Sequence, residues 1–283
     1  MSIEQELQKL YGVGPVLAAN IIHNLQAQGD INPKQNYNHE TLRRILKNNP
    51  LFLGLPISTK IDLKCNPIKE IPRDFIKIID EELHKYIKNI RFNIAGSYRR
   101  KKPMSRDIDI VIINDKSQKN QNIRNQKNQN IRNQNLDKII STINIKSKRI
   151  KICKPFARGT EKATLLFEVI IPQALQYYLA KYYQRQIIKV KLPNNKIIKK
   201  VRVKVDIFLT EEREYIFALL FATGSGTFNV RMRAVAKRKG YLLNHKGIYK
   251  KNGVQLRRLP ISKEEDIFKL LNMKYRNPED RII

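Results

Sequence analysis

Gly96-Ser97-Tyr98-Arg99-Arg100-Lys101-Lys102-Pro103-Met104-Ser105-Arg106-Asp107-Ile108-Asp109-Ile110-Val111-Ile112 is the stretch on which the fold turns. From Asp107 onward acidic and apolar residues alternate, which predicts a strand. Positions i and i+2 of a strand project to one face, so Asp107 and Asp109 stand side by side while Ile108, Ile110 and Ile112 face the other way. Far downstream, Val201-Arg202-Val203-Lys204-Val205-Asp206-Ile207 alternates in the same manner, and the valines leave Asp206 on the opposite face. Three carboxylates converging from two strands raise one another's pKa unless divalent cations keep them ionised, and hard oxygen ligands suit Mg²⁺. Two such ions about 3.5 to 4 Å apart can activate an attacking hydroxyl and stabilise a leaving pyrophosphate. A polar strand face with solvated acids is the alternative. Just upstream, Gly96 lets backbone amides approach phosphate, while Ser97 and Arg100 add a hydroxyl and a guanidinium, so a triphosphate fits beside the metals.

Before this stretch the chain reads as helical. Leu7, Leu10 and Tyr11 recur at helical spacing, Gly12-Val13-Gly14-Pro15 interrupts, and Leu17, Ala18, Ile21, Ile22 and Leu25 resume the period, which predicts helix, hairpin, helix. Further helices are expected around Glu40 to Asn48 and where Phe75, Ile78, Ile79, Leu83, Tyr86 and Ile87 share a face. After it, residues 118–133 are two identical copies of Gln-Lys-Asn-Gln-Asn-Ile-Arg-Asn. A repeat of eight residues is too short for a solenoid unit, so it reads as a disordered loop. Strands are expected at Ala163 to Ile171 and Val201 to Leu209, with a short helix and a Pro193-Asn194-Asn195 turn between them. Tyr177, Tyr178, Tyr182 and Tyr183 on that helix could stack on bases, but core packing is the favoured reading. Helices follow near Tyr215 to Ala222, after Thr227 and from Ser262, where Ser262 and Glu265 have the spacing of a capping box. The implied domains are residues 1–90, helical; 91–210, sheet-bearing, with the Asn-rich insertion at about 114–135; and 211–283.

Composition agrees with a polyanion partner. The 283 residues carry 56 Lys and Arg against 25 Asp and Glu, a formal charge of +31, and 41% are apolar. Such an excess repels itself unless a polyanion relieves it, while the apolar share suffices for a core. Cys65 and Cys153 have no metal-type spacing and suit a reducing compartment, His23, His39, His84 and His245 show no ligand-like spacing, and no apolar run is long enough to span a bilayer. The reading is therefore a soluble intracellular protein without a membrane partner. The runs Lys148-Arg149-Ile150-Lys151 and Lys237-Arg238-Lys239 read as DNA-facing surface ahead of nuclear-address signals.

Taken together, Gly96-Ser97, Arg100, Asp107-Ile108-Asp109 and the distant Asp206 resemble the nucleotidyltransferase signature of family X DNA polymerases, the DNA polymerase beta type. The resemblance runs on through Thr223-Gly224-Ser225, Phe228-Asn229, Met232-Arg233-Ala234, Asp266-Ile267-Phe268 and Tyr275-Arg276-Asn277-Pro278-Glu279-Asp280-Arg281, and leaves out the asparagine-rich and tyrosine-rich segments. It implies an α+β fold: a nucleotidyltransferase palm with a mixed β-sheet, flanked by an N-terminal helix-hairpin-helix domain and a C-terminal α/β subdomain over the nascent base pair. It also implies templated addition of deoxynucleotides to a primer 3′-hydroxyl, gap filling in base excision repair, and two Mg²⁺ ions for which Mn²⁺ substitutes. Asp107 and Asp109 would bind both metals, and Asp206 the catalytic one. Gly96, Ser97, Arg100, Arg106, Phe221, Ala222, Gly224 and Asn229 would hold the nucleotide. Arg233 would contact the template, and Lys204 replaces the arginine that often orients the third aspartate. Gly12, Val13 and Gly14 would grip DNA, with Na⁺ or K⁺ on the carbonyls of Gln8, Leu10 and Val13. Gapped or nicked duplex DNA, deoxynucleoside triphosphates and a DNA ligase are the implied partners of a monomer, in nucleus or cytoplasm.

Departures qualify this. The chain opens almost at the hairpin, as in the reduced forms of large DNA viruses, so no deoxyribose-phosphate lyase activity is expected; a viral origin would move the expected place to a viral factory or virion. Phe221-Ala222 stands where the family often has an aromatic pair or Gly-Trp, Glu70 where a basic phosphate contact is common, and Gly226 and Val230 replace larger or charged residues. Low fidelity follows. A template-independent transferase on the same palm, or a catalytically dead basic DNA-binding protein, are the alternatives.

Overall fold

The computed structural model describes residues 2–32, 34–88, 90–113, 127–153, 157–159, 161–252 and 255–282. Its contacts divide the chain into two compact units, Met1–Pro67 and Ile68–Ile283.

The first unit holds α1 (Ile3–Leu7), α2 (Pro15–Ala27), α3 (His39–Asn48) and α4 (Ile57–Cys65). Ser2 and Gln5 form a capping box at the start of α1, Pro15 occupies the first position of α2, and the Asn38 side chain caps α3. Helix α1 is shorter than its spacing predicts: Leu10 and Tyr11 lie past its end as buried turn residues. They join a core of Leu7, Val13, Ala18, Ile21, Leu25, Leu42, Leu46 and Leu63. Asp62, fully buried, receives the Arg43 guanidinium at 2.6 Å and the Tyr11 backbone N–H at 2.8 Å.

The second unit begins with β1 (Ile71–Pro72) and α5 (Arg73–Tyr86). Phe75, Ile76, Ile79 and Leu83 of α5 are buried in the same core as the sheet strands, so the helical unit ends at Pro67 and not near residue 90 as expected. There follow β2 (Phe92–Ile94), α6 (Gly96–Arg99), β3 (Met104–Ser105), β4 (Ile108–Ile113), α7 (Lys127–Lys146), β5 (Ile150–Ile152), β6 (Ala157–Arg158), β7 (Lys162–Ile170), α8 (Gln173–Tyr183), β8 (Ile188–Lys191) and β9 (Ile197–Thr210). The main sheet runs β2-β4-β9-β7-β5, with β6 paired to β7 and β8 to β9. β4 and β9 are parallel and the other pairs antiparallel, so the sheet is mixed as expected.

The asparagine-rich segment departs in part from the loop reading. Residues 114–126 lie outside the described residues, but from Lys127 the backbone is helical through the second copy of the repeat. Leu136, Ile139 and Ile143, further along α7, share one helical face and are buried against the sheet.

The chain continues through α9 (Tyr215–Thr223), α10 (Gly226–Arg238), an antiparallel meander of β10 (Tyr241–Asn244), β11 (Gly247–Asn252) and β12 (Gln255–Arg258), and α11 (Glu264–Leu270). Phe217, Phe228, Met232, Ile248, Ile267 and Phe268 form its core. The N-cap of α11 is Lys263 rather than Ser262, and the expected capping box is absent. Glu264, at the start of this helix, is buried in an ion network with Arg99 and Arg281.

Candidate active site

The parallel register of β4 on β9 sets Asp109 directly opposite Asp206. Neighbouring strands lie about 4.8 Å apart, so these two acids, both pointing to one face, are adjacent, and Asp107 stands two residues before Asp109 on that face. Antiparallel β7 adds Thr164 opposite Asp206 from the other side. Three segments distant in sequence thus meet in one row of the sheet.

Cations hold part of this row. The Lys204 ammonium lies 2.9 Å from Asp107 Oδ2 and 3.1 Å from Asp206 Oδ2. Lys162 Nζ reaches Asp206 Oδ2 at 2.9 Å, and the Thr164 hydroxyl donates to Asp206 Oδ1 at 2.7 Å. Burial acts to raise the Asp206 pKa, but Lys204, Lys162 and Thr164 prevail and hold it below the usual carboxylate range. Lys204 is the mirror case: burial lowers its pKa, but Asp107 and Asp206 raise it above the ordinary lysine value. Asp109 is less fully compensated. Its carboxyl is pushed up to about 7, by burial first and then by the charges of Asp107 and Asp206, with Lys204 and Lys162 opposing. Among the described residues no group of three or more His, Cys, Asp or Glu stands in a metal-binding arrangement. The ammonium groups occupy the inner carboxylate oxygens instead. The donor set nonetheless fits divalent cations: three oxygen-bearing acids converge, and the one with least cationic compensation has the raised pKa.

Gly96 permits this packing. It has φ +57°, and a Cβ there would lie 2.2 Å from Asp109 Oδ2. Its amide-bearing turn opens into a cleft of about 740 Å³. Ten further residues expected to bind nucleotide, metal or DNA line that cleft: Ser97, Arg100, Arg106, Asp107, Asp109, Phe221, Ala222, Gly224, Asn229 and Arg233. Lys102, Met104, Phe208, Gly226 and Val230 complete the wall. Asp206 and Lys204, on the neighbouring strand, are buried. Ser97 Oγ donates to Ser105 Oγ at 2.8 Å. Arg100 donates through Nη1 to the Thr223 carbonyl, while its buried Nε has no partner among the described residues. Burial, opposed by Asp109, lowers the Arg100 pKa from the usual guanidinium value. Asn229 Nδ2 donates to the Phe221 carbonyl at 2.8 Å, and Arg233 Nε to the Asn229 carbonyl at 3.2 Å with its guanidinium 6.0 Å from the Phe221 ring.

Three supporting residues, Lys162, Thr164 and Glu264, escaped the sequence reading. Lys162 and Thr164 have no local signal, since only the β7–β9 register brings them to Asp206. Arg99 donates to Thr223 Oγ1 and to Glu264 Oε1, both at 2.8 Å, and Glu264 Oε2 meets the fully buried Arg281 at 2.6 Å. That chain of charges ties α6, beside the glycine turn, to the carboxyl-terminal segment. Glu70 accepts the Tyr183 hydroxyl at 3.2 Å.

In the first unit, the hairpin keeps its expected form. Gly12 has φ +78°, and a Cβ would lie 2.2 Å from Ser58 Oγ. The Thr59 hydroxyl donates to the Tyr11 carbonyl at 2.8 Å, and Gly14 is the N-cap of α2. The Leu10 carbonyl accepts the Val13 N–H at 3.3 Å, and Gln8 is the C-cap of α1.

The DNA polymerase beta palm model matches residues 67–162, and the DNA polymerase beta thumb model residues 218–282. DNA polymerase lambda of Rattus norvegicus is 38% identical over 86 residues, 28% of this chain and only 15% of that protein. Repair DNA polymerase X of African swine fever virus is 27% identical over 200 residues, covering 69% of this chain and 85% of the viral protein in one isolate. Among solved structures, Leishmania infantum polymerase beta in a ternary P/T complex superposes with TM-score 0.67 at 24% identity, over 100% of this chain and 98% of that one. The same protein in a ternary gap complex gives 0.68 at 23%, over 99% and 89%. These two likenesses establish the fold. Because a matched palm carrying the first two aspartates is followed in order by a matched thumb, the two together spanning more than half of the sequence, the chain belongs to family X of the DNA polymerases, the DNA polymerase beta type.

Proposed function

We propose that the chain adds deoxynucleotides to a primer 3′-hydroxyl on gapped duplex DNA by two-metal nucleotidyl transfer, as in the gap-filling step of base excision repair. The observation that carries this reading is the register pairing of Asp109 with Asp206, which gathers three acids beside a cleft furnished with phosphate-binding groups. Asp107, Asp109 and Asp206 would hold two Mg²⁺ ions, or Mn²⁺ in their place, which when bound supply Lewis-acid activation of the hydroxyl and charge stabilisation of the leaving pyrophosphate. Asp206, kept ionised by Lys204, Lys162 and Thr164, would help the primer hydroxyl lose its proton. Ser97 and Arg100 would bind the β- and γ-phosphates, and the buried Arg100 Nε without a partner favours an anion there. Arg106, Gly96, Phe221, Ala222 and Gly224 would shape the nucleotide site, Asn229 would touch the incoming base, and Arg233 the template.

The hairpin at Gly12, Val13 and Gly14 would present the first amides of α2 to a DNA phosphate, with Na⁺ or K⁺ on the carbonyls of Gln8, Leu10 and Val13. Gapped DNA and deoxynucleoside triphosphates are then the substrates, with a DNA ligase acting on the product. Extension of a one-nucleotide gap with each deoxynucleotide singly, with Mg²⁺ and with EDTA, is the test. Preference for the templated nucleotide, abolished by EDTA, is expected; equal use of all four would favour the template-independent transferase.

A further inference from the structure

The two family models leave residues 163–217 unmatched, and within this gap α8 and the β8–β9 hairpin form an excursion between two strands that pair directly. Its composition is one-sided. No acidic residue occurs between Glu168 and Asp206, whereas Lys181, Arg185, Lys189, Lys191, Lys196, Lys199, Lys200, Arg202 and Lys204 all do. Arg202 and Lys204 are paired with Glu168 and with the catalytic acids. Lys189, Lys191 and Lys199 make no ion pair among the described residues. The β8–β9 register sets Lys189 directly opposite Lys199, and Lys191 falls on the same face two residues on. Like charges directly opposed on a sheet destabilise it, and a polyanion would relieve them.

The helix that leads into this hairpin carries aromatic residues. The four tyrosines of α8 divide: Tyr183 is buried with its hydroxyl on Glu70, and Tyr178 packs inward with its hydroxyl 3.9 Å from the sulfur of Met104, a residue of the cleft wall. Tyr177 and Tyr182, on successive turns, are 82% and 57% exposed. The Tyr182 ring is braced by Tyr178 at 4.9 Å and has the Lys181 ammonium 5.4 Å away. Exposed rings on the helix preceding a hairpin of unpaired lysines suit a strand whose bases are unstacked, because in a duplex the base faces are hidden.

We infer that α8 and the β8–β9 hairpin bind an unpaired nucleic-acid strand, the bases stacking on Tyr177 and Tyr182 and the phosphates meeting Lys189, Lys191 and Lys199. This rests on the polymerase reading only for the origin of the strand, a single-stranded stretch of the DNA substrate.

The test is fluorescence anisotropy of the full chain with a labelled single-stranded oligonucleotide of about twelve nucleotides, within the span of known single-strand sites, and with a blunt duplex, in EDTA and without nucleotide. Tyr177→Ala with Tyr182→Ala should weaken single-strand binding about tenfold or more and duplex binding far less, and the corresponding Phe variant should restore it. Tyr177→Ala alone keeps the test open should the double variant melt early. Lys189→Gln, Lys191→Gln and Lys199→Gln together should lower the single-strand salt slope by about 2, at roughly 0.7 per phosphate. Single-strand affinity within twofold of the unmodified chain in the Ala and Gln variants, an equal loss on the duplex, or competition by polyglutamate as strong as by DNA would each overturn the inference. Primer extension by the unmodified chain is measured separately and reports on the polymerase reading alone.

Discussion

Strand β9 carries two populations of cations. Toward its middle Arg202 meets Glu168 at 2.8 Å and Lys204 is shared between Asp107 and Asp206. In its first half Lys199 faces Lys189, with no ion-pair partner for either among the described residues. Burial marks the extremes: Lys204 is nearly enclosed, where a charge survives only when paired, whereas Lys189 is exposed. Pairing fixes position, which a reacting centre needs. Cations left unpaired near solvent stay available for a mobile polyanion.

The sharpest way to break this contrast is at its paired end. Asp206→Ala should reduce primer extension by about 10³-fold or more, on the order of 4 kcal/mol of lost transition-state stabilisation. Extension by the variant at the unmodified rate, with circular dichroism unchanged, would remove the assigned chemistry.

Next comes Gly96→Ala. The added Cβ would meet Asp109 Oδ2 at 2.2 Å from a backbone at φ +57°, so the carboxylate must swing aside. A displacement of about 1 Å at a reacting centre can lose about 10²-fold in rate. The drop should fall mainly on kcat, while the unfolding free energy falls by about 1 to 2 kcal/mol for the left-handed residue.

Lys204→Met tests pairing itself. Removing the ammonium leaves Asp206 with Lys162 and Thr164 as its remaining partners named above, and Asp107 without its Lys204 bridge. Partners that orient ligands typically lose about 10 to 100-fold in metal affinity or activity when removed. The Mg²⁺ concentration for half-maximal extension should therefore change, and Lys204→Arg should recover most of the rate; recovery absent and Mg²⁺ dependence unmoved would make Lys204 merely structural.

What was legible in the sequence follows the same division. Asp107, Asp109 and Asp206 announce themselves because a strand's period of two is local, and the hairpin glycine because its φ of +78° excludes most other residues. Lys162 and Thr164 were invisible, since the β7–β9 register that delivers them is set by pairing across distant segments. Glu264 was missed because its burial depends on Arg99 and Arg281 arriving from either side of it in the chain. The second repeat copy reads as loop because asparagine is a poor helix former, but the apolar face of Leu136, Ile139 and Ile143 fastens α7 to the core and tertiary packing overrides propensity.

The smallest predicted effect probes the unpaired end, and its value lies in having two signs. Lys189→Glu converts the like-charge pair with Lys199 into an opposite one. Cross-strand pairs of this kind contribute about 0.2 to 1 kcal/mol, so the free protein should become slightly more stable, read as a higher urea midpoint at unchanged m-value. Binding to nucleic acid should meanwhile weaken, because the same substitution reverses a charge meant for phosphate. A site selected for folding alone would not trade stability in this way. Loss of both stability and binding would mean that Lys189 serves packing, and the two parts of β9 would then differ in exposure but not in purpose.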